Sequence, residues 1–599
     1  MIAAPNGLTN LNPRILALEA AAGGVVPYLD LRSYGVIPND TTKAAVNQTA
    51  IKTGLQAVTV PWTVVKFPAG NVYVDKSSGL GVAHSFSIRL DSTYTVPMVL
   101  DLRGTNLCQY GAGNGGQWTL LDIADGFNAG VIILGGYLQC SRIDNPDPSQ
   151  FQHYLLHFYG LSTSSGPVAN VDVIGTRFGQ SKRAAIRFLG EPGKEITKVR
   201  ILDIDIDISK SCDGSSIVPT GGGIEFQRGF DDIEIGHFSV RGHHLTGIDM
   251  EPTSPGGAVM GRVNIHDGVV DGTGATAVQV VSLGGGVTAQ QVERSIFRNV
   301  KVIGGNIGIL TTHNWLIDRA EVVLNTTPAA DVFSPGTFGS SPLIYCHDFN
   351  TDLELRDCTL IRTADTGVPT GPLIQINPGS GGGPARIRIN GGYFEQWTGS
   401  NLIEADTVPE LAITGSPMFR VQNATPSAMS IVHLQATTAS IAGFAWDSGR
   451  VVSPNGKMLS LASLSVAGGL ATSAPGLQID DVNITGVIAD GAVTNGLLMD
   501  LSAAAFAAGS RMPPAPVVQA LGVDGCTNAW VATNSAAGTV FPVISGNRGG
   551  QSGIRVGTVD PGGNVSAPIG WLYVNQSTGT LWLKTSGSGS SGWTQITVP

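Results

Sequence analysis

The chain has 599 residues, of which 80 are glycine, 42% are hydrophobic and only 13% are charged. That balance is too apolar for disorder, and it suits many short strands joined by tight turns better than long helices. A net charge of −10 excludes a general nucleic-acid binder, which needs a basic footprint, and no run is long enough to span a membrane as a helix.

The six cysteines (108, 140, 212, 346, 358 and 526) show no paired spacing, so buried thiols are expected rather than a disulfide framework. There is no phosphate-binding loop, no zinc-like Cys/His spacing and no lipase-like GxSxG in a strand-to-helix setting, so no cofactor and no metal are expected. The amino terminus lacks a basic-then-apolar signal pattern. The expectation is a product used inside the cell or carried by a larger particle.

Residues 1–28 contain "NPRILALEAAA", which reads either as a short helix ended by Gly23-Gly24 or as a frayed terminus. The next stretch runs strand, Tyr34-Gly35, Asn39-Asp40-Thr41, then a helix carrying Asn47 and Ile51. After it comes Phe67-Pro68-Ala69-Gly70 and another strand. Asp40 or Thr41 is a suitable N-cap for a helix starting near Thr42. This order resembles the opening segment of pectate-lyase-like right-handed parallel β-helix proteins, bacteriophage tailspikes above all. The resemblance implies an all-β fold in which the helix caps the first edge of a solenoid, an edge that physics requires to be covered.

From about 70 to 510 the sequence repeats strand-length alternations such as "NVDVIGTRF", "VRILDIDIDIS" and "FRNVKVIGG", broken by Gly, Asn, Asp and Pro. Two copies of one phrase stand out, Gly223-Ile224-Glu225-Phe226-Gln227 and Gly247-Ile248-Asp249-Met250-Glu251, set 24 residues apart. Apolar and polar residues alternate in each, as in a strand with one buried and one wet face, at a period suited to stacked repeats. Ala185–Leu189 upstream, and Ala277–Val281 and Gly308–Thr312 downstream, extend the series. The inward column is then Ile186, Ile224, Ile248, Val278 and Ile309, and the outward one Arg187, Glu225, Asp249, Gln279 and Leu310.

In a parallel stack, neighbours in a column sit about 4.8 Å apart, which would crowd Glu225, Asp249 and Glu251 onto one exposed patch. Glycoside cleavage usually needs two carboxyl groups. The column spacing fits the close separation of a retaining enzyme, and the Glu225–Glu251 diagonal of roughly 8 Å fits an inverting one. Crowding should also raise the pKa of at least one of the three, supplying a protonated acid. A lone acid on a solenoid's outer face says nothing. Three on adjacent rungs repel one another unless function is served.

Lys182, Arg183 and Arg187, on the rung before Glu225, are placed either to hold an acidic sugar or to offset Glu225. His243 and His244, before the Asp249 strand, and His313 and Trp315, two rungs on, are candidates to flank the same groove, with Trp315 stacking on a sugar ring. Gln227 and Gln279 complete the candidate binding set. Asp203, Asp205 and Asp207 share one strand face, too far apart along an extended chain to converge on one ion, and are expected to be solvated.

Near Arg511 a Pro-rich stretch, "RMPPAPVVQALG", reads as a linker to a small β-rich region over 511–599, with "NQSTGT" as a hairpin turn. Its "GWLYVNQSTGTLWLKTSGSG" resembles the closing segment of phage tail fibres and tailspikes. The combined resemblance implies neck (1–28), β-helix (29–510) and C-terminal region (511–599). It further implies a homotrimer mounted on a phage tail or baseplate, which acts on bacterial surface polysaccharide (O-antigen or capsule) with no nucleic acid and no membrane insertion. Hydrolysis by paired carboxylates is the first reading. A polysaccharide lyase using Arg187 or a histidine, and a non-enzymatic receptor-binding fibre, are the rivals.

Overall fold

A computed structural model describes residues 27–75, 84–110, 116–140, 151–160, 166–181, 183–208, 222–243, 246–250, 261–273, 279–284, 294–310, 314–325, 342–347, 352–363, 371–377, 386–397, 401–406, 410–421, 430–435, 443–452, 457–461, 482–490, 499–500, 517–523, 554–557, 559–565, 572–575, 577–578, 580–586 and 590–596. The helix expected within residues 1–28 lies outside them.

The fold is a parallel β-helix, with one short α-helix among the described residues and a small mixed sheet near the C-terminus. It divides into two compact units, residues 1–314 with 328–335, and 315–327 with 336–599.

The first unit opens with the expected cap. Asp40 accepts a hydrogen bond from the Thr42 amide (2.9 Å) and starts a helical turn that continues as the α-helix Ala44–Gln56. The helix buries Ala44, Asn47, Ala50, Ile51, Gly54 and Leu55. Asn47 joins it to the first rung. Its Oδ1 accepts from the Ile37 amide (2.7 Å), and its Nδ2 donates to the Ile37 (2.9 Å) and Tyr73 (3.0 Å) carbonyls. Gln48 donates to the Ser87 carbonyl (3.0 Å). An edge that would expose raw backbone is thereby closed by side-chain amides.

Beyond the cap, one ladder of this unit stacks the parallel strands His84–Leu90, Gly116–Ala124, Phe151–Gly160, Ala184–Gly190, Gly222–Phe226, Ile248–Met250, Gln279–Gly284 and Asn306–Leu310. Its inward positions fill the core. Phe158, Phe188 and Phe226 are fully buried, with ring centroids 4.7 and 4.5 Å apart and planes within 9° and 3° of parallel. The glycine that opens the Glu225 phrase serves close approach: a Cβ on Gly223 would lie 2.3 Å from the Gly247 carbonyl oxygen and 2.5 Å from Val240.

A second ladder runs through Val168–Ile174, Ile196–Asp207, Phe230–Arg241, Val263–Asp271 and Ser295–Ile303. Four of these strands bend at one level, where Asp203, His237, Asp267 and Asn299 hold positive φ of 56°, 51°, 55° and 52°. Asp203 is exposed at this bend. Asp205 and Asp207 both pair with Arg241, at 2.8 and 3.1 Å. The three do not form the uniform solvated face expected of a straight strand.

The second unit repeats the plan, with Ile344–His347, Ile374–Asn377, Ile403–Asp406, Ser430–Gln435, Lys457–Leu461 and Met499–Asp500 stacked in parallel. Near its end Leu572–Asn575 and Thr580–Lys584 pair antiparallel across the expected turn, and Trp593 donates to the Val565 carbonyl (2.8 Å). Cys108, Cys140, Cys346 and Cys358 are buried thiols outside any disulfide; Cys212 and Cys526 lie outside the described residues. Among the described residues no helix is long and apolar enough to cross a membrane.

Candidate functional site

Glu225 and Asp249 occupy the same level of adjacent strands. The column they belong to is longer than expected upstream. In register it reads Arg89, Asp122, His157, Arg187, Glu225, Asp249, Ser282 and Gly308. Asp122 and His157 were missed because their strands, "TLLDIA" and "YLLHFY", are almost wholly apolar. The signal was present: Leu121-Asp122-Ile123 and Leu156-His157-Phe158 repeat the pattern of Ile224-Glu225-Phe226.

Downstream of Asp249 the column departs from the expected one. Asp249 faces Ser282, and Gln279 lies opposite Asn306 instead; Gly308, not Leu310, continues the column. The inward column is likewise continued by Val281 and Ile307 in place of Val278 and Ile309. The register shifts between Gln279 and Val281, an irregularity that matching of apolar patterns cannot count.

The column is not an open ledge: Asp122 and His157 are fully buried, Arg187 and Glu225 are 5% and 3% exposed, and Asp249 is half-buried. Buried charges must be paired, and these are. The Arg183 guanidinium donates to Glu225 Oε1 from Nη2 (3.0 Å) and Nε (3.3 Å), and Arg187 Nε stands 3.8 Å from Oε2. The Gln227 amide bridges the set, donating to Glu225 Oε1 and accepting from Arg187. Arg187 also lies over the Tyr154 ring, 4.5 Å from its centroid. One rung back, His157 Nδ1 lies 3.2 Å from Asp122 Oδ1, whose other oxygen is 3.5 Å from Arg89 Nη1.

Pairing does not exhaust the hydrogen-bonding capacity. Arg187 Nε and Nη1 and Glu225 Oε2 are buried without a hydrogen bond. Each such group costs desolvation energy and signals a site with unmet donors and acceptors.

The remaining candidates fall elsewhere. His243 is 2% exposed and packs under the start of the Asp249 strand, its Cε1 3.1 Å from where a Cβ on Gly247 would be. Burial pushes its pKa down to about 4, partly offset by the Asp271 charge, so the ring is neutral at pH 7. Trp315 is fully buried on the strand Trp315–Asp318, which pairs with Asp352–Arg356, and it offers no face to a sugar. It is a core residue because it opens a strand of a different ladder from the Glu225 column, with Trp315 and Ile317 on the buried face. Glu251, His244, His313 and Lys182 lie outside the described residues.

No family model and no curated protein matches this chain. Among solved structures, it is similar to the A-module of a mannuronan C-5 epimerase from Azotobacter vinelandii, at 10% identity over 83% of this chain and 98% of that one, with a TM-score of 0.30. It is also similar to a family 28 exopolygalacturonase from Yersinia enterocolitica (12% identity, 69% and 78% covered, TM-score 0.29). A third similarity is to the ORF18 protein of Geobacillus virus E2 (9% identity, 81% and 65% covered, TM-score 0.23). The parallel strand pairing described above defines the fold.

Proposed function

We propose that the protein is a phage tailspike that binds and cuts a bacterial surface polysaccharide by glycoside hydrolysis, with Glu225 and Asp249 as the reacting carboxyl groups. The observation supporting this reading is their placement on adjacent rungs of a buried, charged column that still carries unmet hydrogen-bonding groups. At about 4.8 Å between strands, the pair fits the close spacing of a retaining mechanism. Asp249, the more accessible of the two, meets the glycosidic oxygen as acid and later activates water. Glu225, held between Arg183 and Arg187, attacks the anomeric carbon. The two arginines favour a sugar bearing a carboxylate or another acidic substituent. A homotrimer on a phage tail or baseplate completes the proposal.

The test is incubation of the protein with purified O-antigens and capsules from a strain panel, followed by analysis of the product ends. Hydrolysis yields new reducing ends with retained anomeric configuration. A product absorbing in the near ultraviolet would make the protein a lyase, and binding without shortening of any glycan would make it a receptor-binding fibre.

A further inference from the structure

Away from this column, a second cluster of chemistry-bearing side chains sits on the bend of the other ladder. The strands Phe230–Arg241 and Val263–Asp271 pair with Gly236 opposite His266 and Phe238 opposite Gly268, which puts His237 and Asp267 at one level. Both hold positive φ there. One ligand atom each from His237, His266 and Asp267 lies within 4.8 Å of the others. The His266 ring reaches this position across Gly236, where a Cβ would lie 2.4 Å from its Cε1, so the glycine makes room for the imidazole.

Neighbouring side chains hold the ligand atoms of the cluster in place. His266 Nε2 faces Glu234 Oε1 at 3.2 Å, leaving Nδ1 turned toward Asp267 Oδ2 at 2.8 Å. Asn299, on the next rung, donates to the other Asp267 oxygen at 2.8 Å and fixes the carboxylate. A histidine whose second nitrogen is held by a carboxylate, beside an acid held by an amide, is how outer partners orient metal ligands. His237 is exposed and meets His266 edge-on, with ring centroids 5.8 Å apart.

We propose that this bend binds one divalent transition-metal ion through His237, His266 Nδ1 and Asp267 Oδ2, stapling two successive coils together. Two imidazoles and one carboxylate favour Zn²⁺, Ni²⁺ or Cu²⁺ over Ca²⁺ or Mg²⁺, which require oxygen ligands. Solvent supplies the remaining position on the exposed side.

The experiment is calorimetric titration of the chelator-stripped full-length protein with ZnCl₂ and, separately, CaCl₂, with a thermal melt at each end point. One saturable Zn²⁺ site per chain, a raised melting temperature with Zn²⁺ and no heat from Ca²⁺ are expected. His237→Asn, which tolerates the left-handed backbone, abolishes the site while leaving the metal-free melt unchanged. Glu234→Gln weakens it about 10- to 100-fold. Absence of a saturable Zn²⁺ site, or the same stoichiometry and affinity in His237→Asn, overturns the proposal.

Discussion

Replacing Asn47 with Leu tests whether the helix closes the solenoid through side-chain amides or merely covers it with apolar surface. The two side chains share the same branched skeleton, leucine ending in bulkier methyls, and Asn47 is fully buried, so the change keeps the shape of the contact and removes three hydrogen bonds. At about 1 kcal/mol net for each, the cap loses about 3 kcal/mol. A repeat array opens locally, so the loss is read in the first rungs more clearly than in a global melt. Hydrogen exchange followed by mass spectrometry should show amides in Thr63–Lys66 and Gly70–Val74 exchanging about a hundredfold faster. Strands of the second unit should keep their native rates. Acceleration of less than about threefold in the first rungs, well below the tenfold that each 1.4 kcal/mol brings, would refute the reasoning and reduce Asn47 to a passive filler.

Glu225→Gln and Asp249→Asn should each lower the rate of glycan cleavage by about 10²- to 10⁴-fold in a protein with an unchanged circular dichroism spectrum; full turnover in either removes that residue from the chemistry. Gly223→Ala forces a Cβ against the Gly247 carbonyl and should cost about 1–3 kcal/mol, seen as a lower melting temperature and a poorer soluble yield. His243 makes stability depend on pH. Its native pKa is lowered to about 4 from an ordinary 6.5, so its contribution is fully present above pH 6.5. As pH falls toward 4 the unfolded chain takes up a proton that the native state refuses, at a loss of about 3 kcal/mol. His266, whose pKa is raised by Glu234, acts in the opposite sense, stabilising at low pH and losing that contribution as pH rises through its native pKa. His243→Leu should therefore narrow the gap between urea midpoints at pH 7 and pH 5, and an unchanged gap would contradict the assignment.

The features legible in the sequence are those with a local cause. Asp40 as a cap, the helix behind it, the alternation around Ile224 and Ile248 and the turn after Leu572–Asn575 each follow from a few neighbouring residues. The pairing of Glu225 with Asp249 was legible because both phrases share a leading glycine and one alternation. Gln279 was misplaced because a register shift leaves the apolar pattern intact while moving the partner. Asp122 and His157 escaped notice because a buried outward face erases the contrast on which alternation depends. That Glu225 is enclosed and clasped by Arg183, Arg187 and Gln227 depends on residues brought together across rungs, and no short window contains it.

The parallel rings of Phe158, Phe188 and Phe226 bear on how so long a chain finds its shape. Each ring meets its partner about 30 to 40 residues onward, so along this ladder every contact is made between neighbouring coils, a short separation beside the length of the chain. Assembly can advance one coil at a time, every finished turn serving as the template for the next. A chain growing from its amino end lays down the lid before anything needs covering, which leaves a single sticky rim at the advancing front.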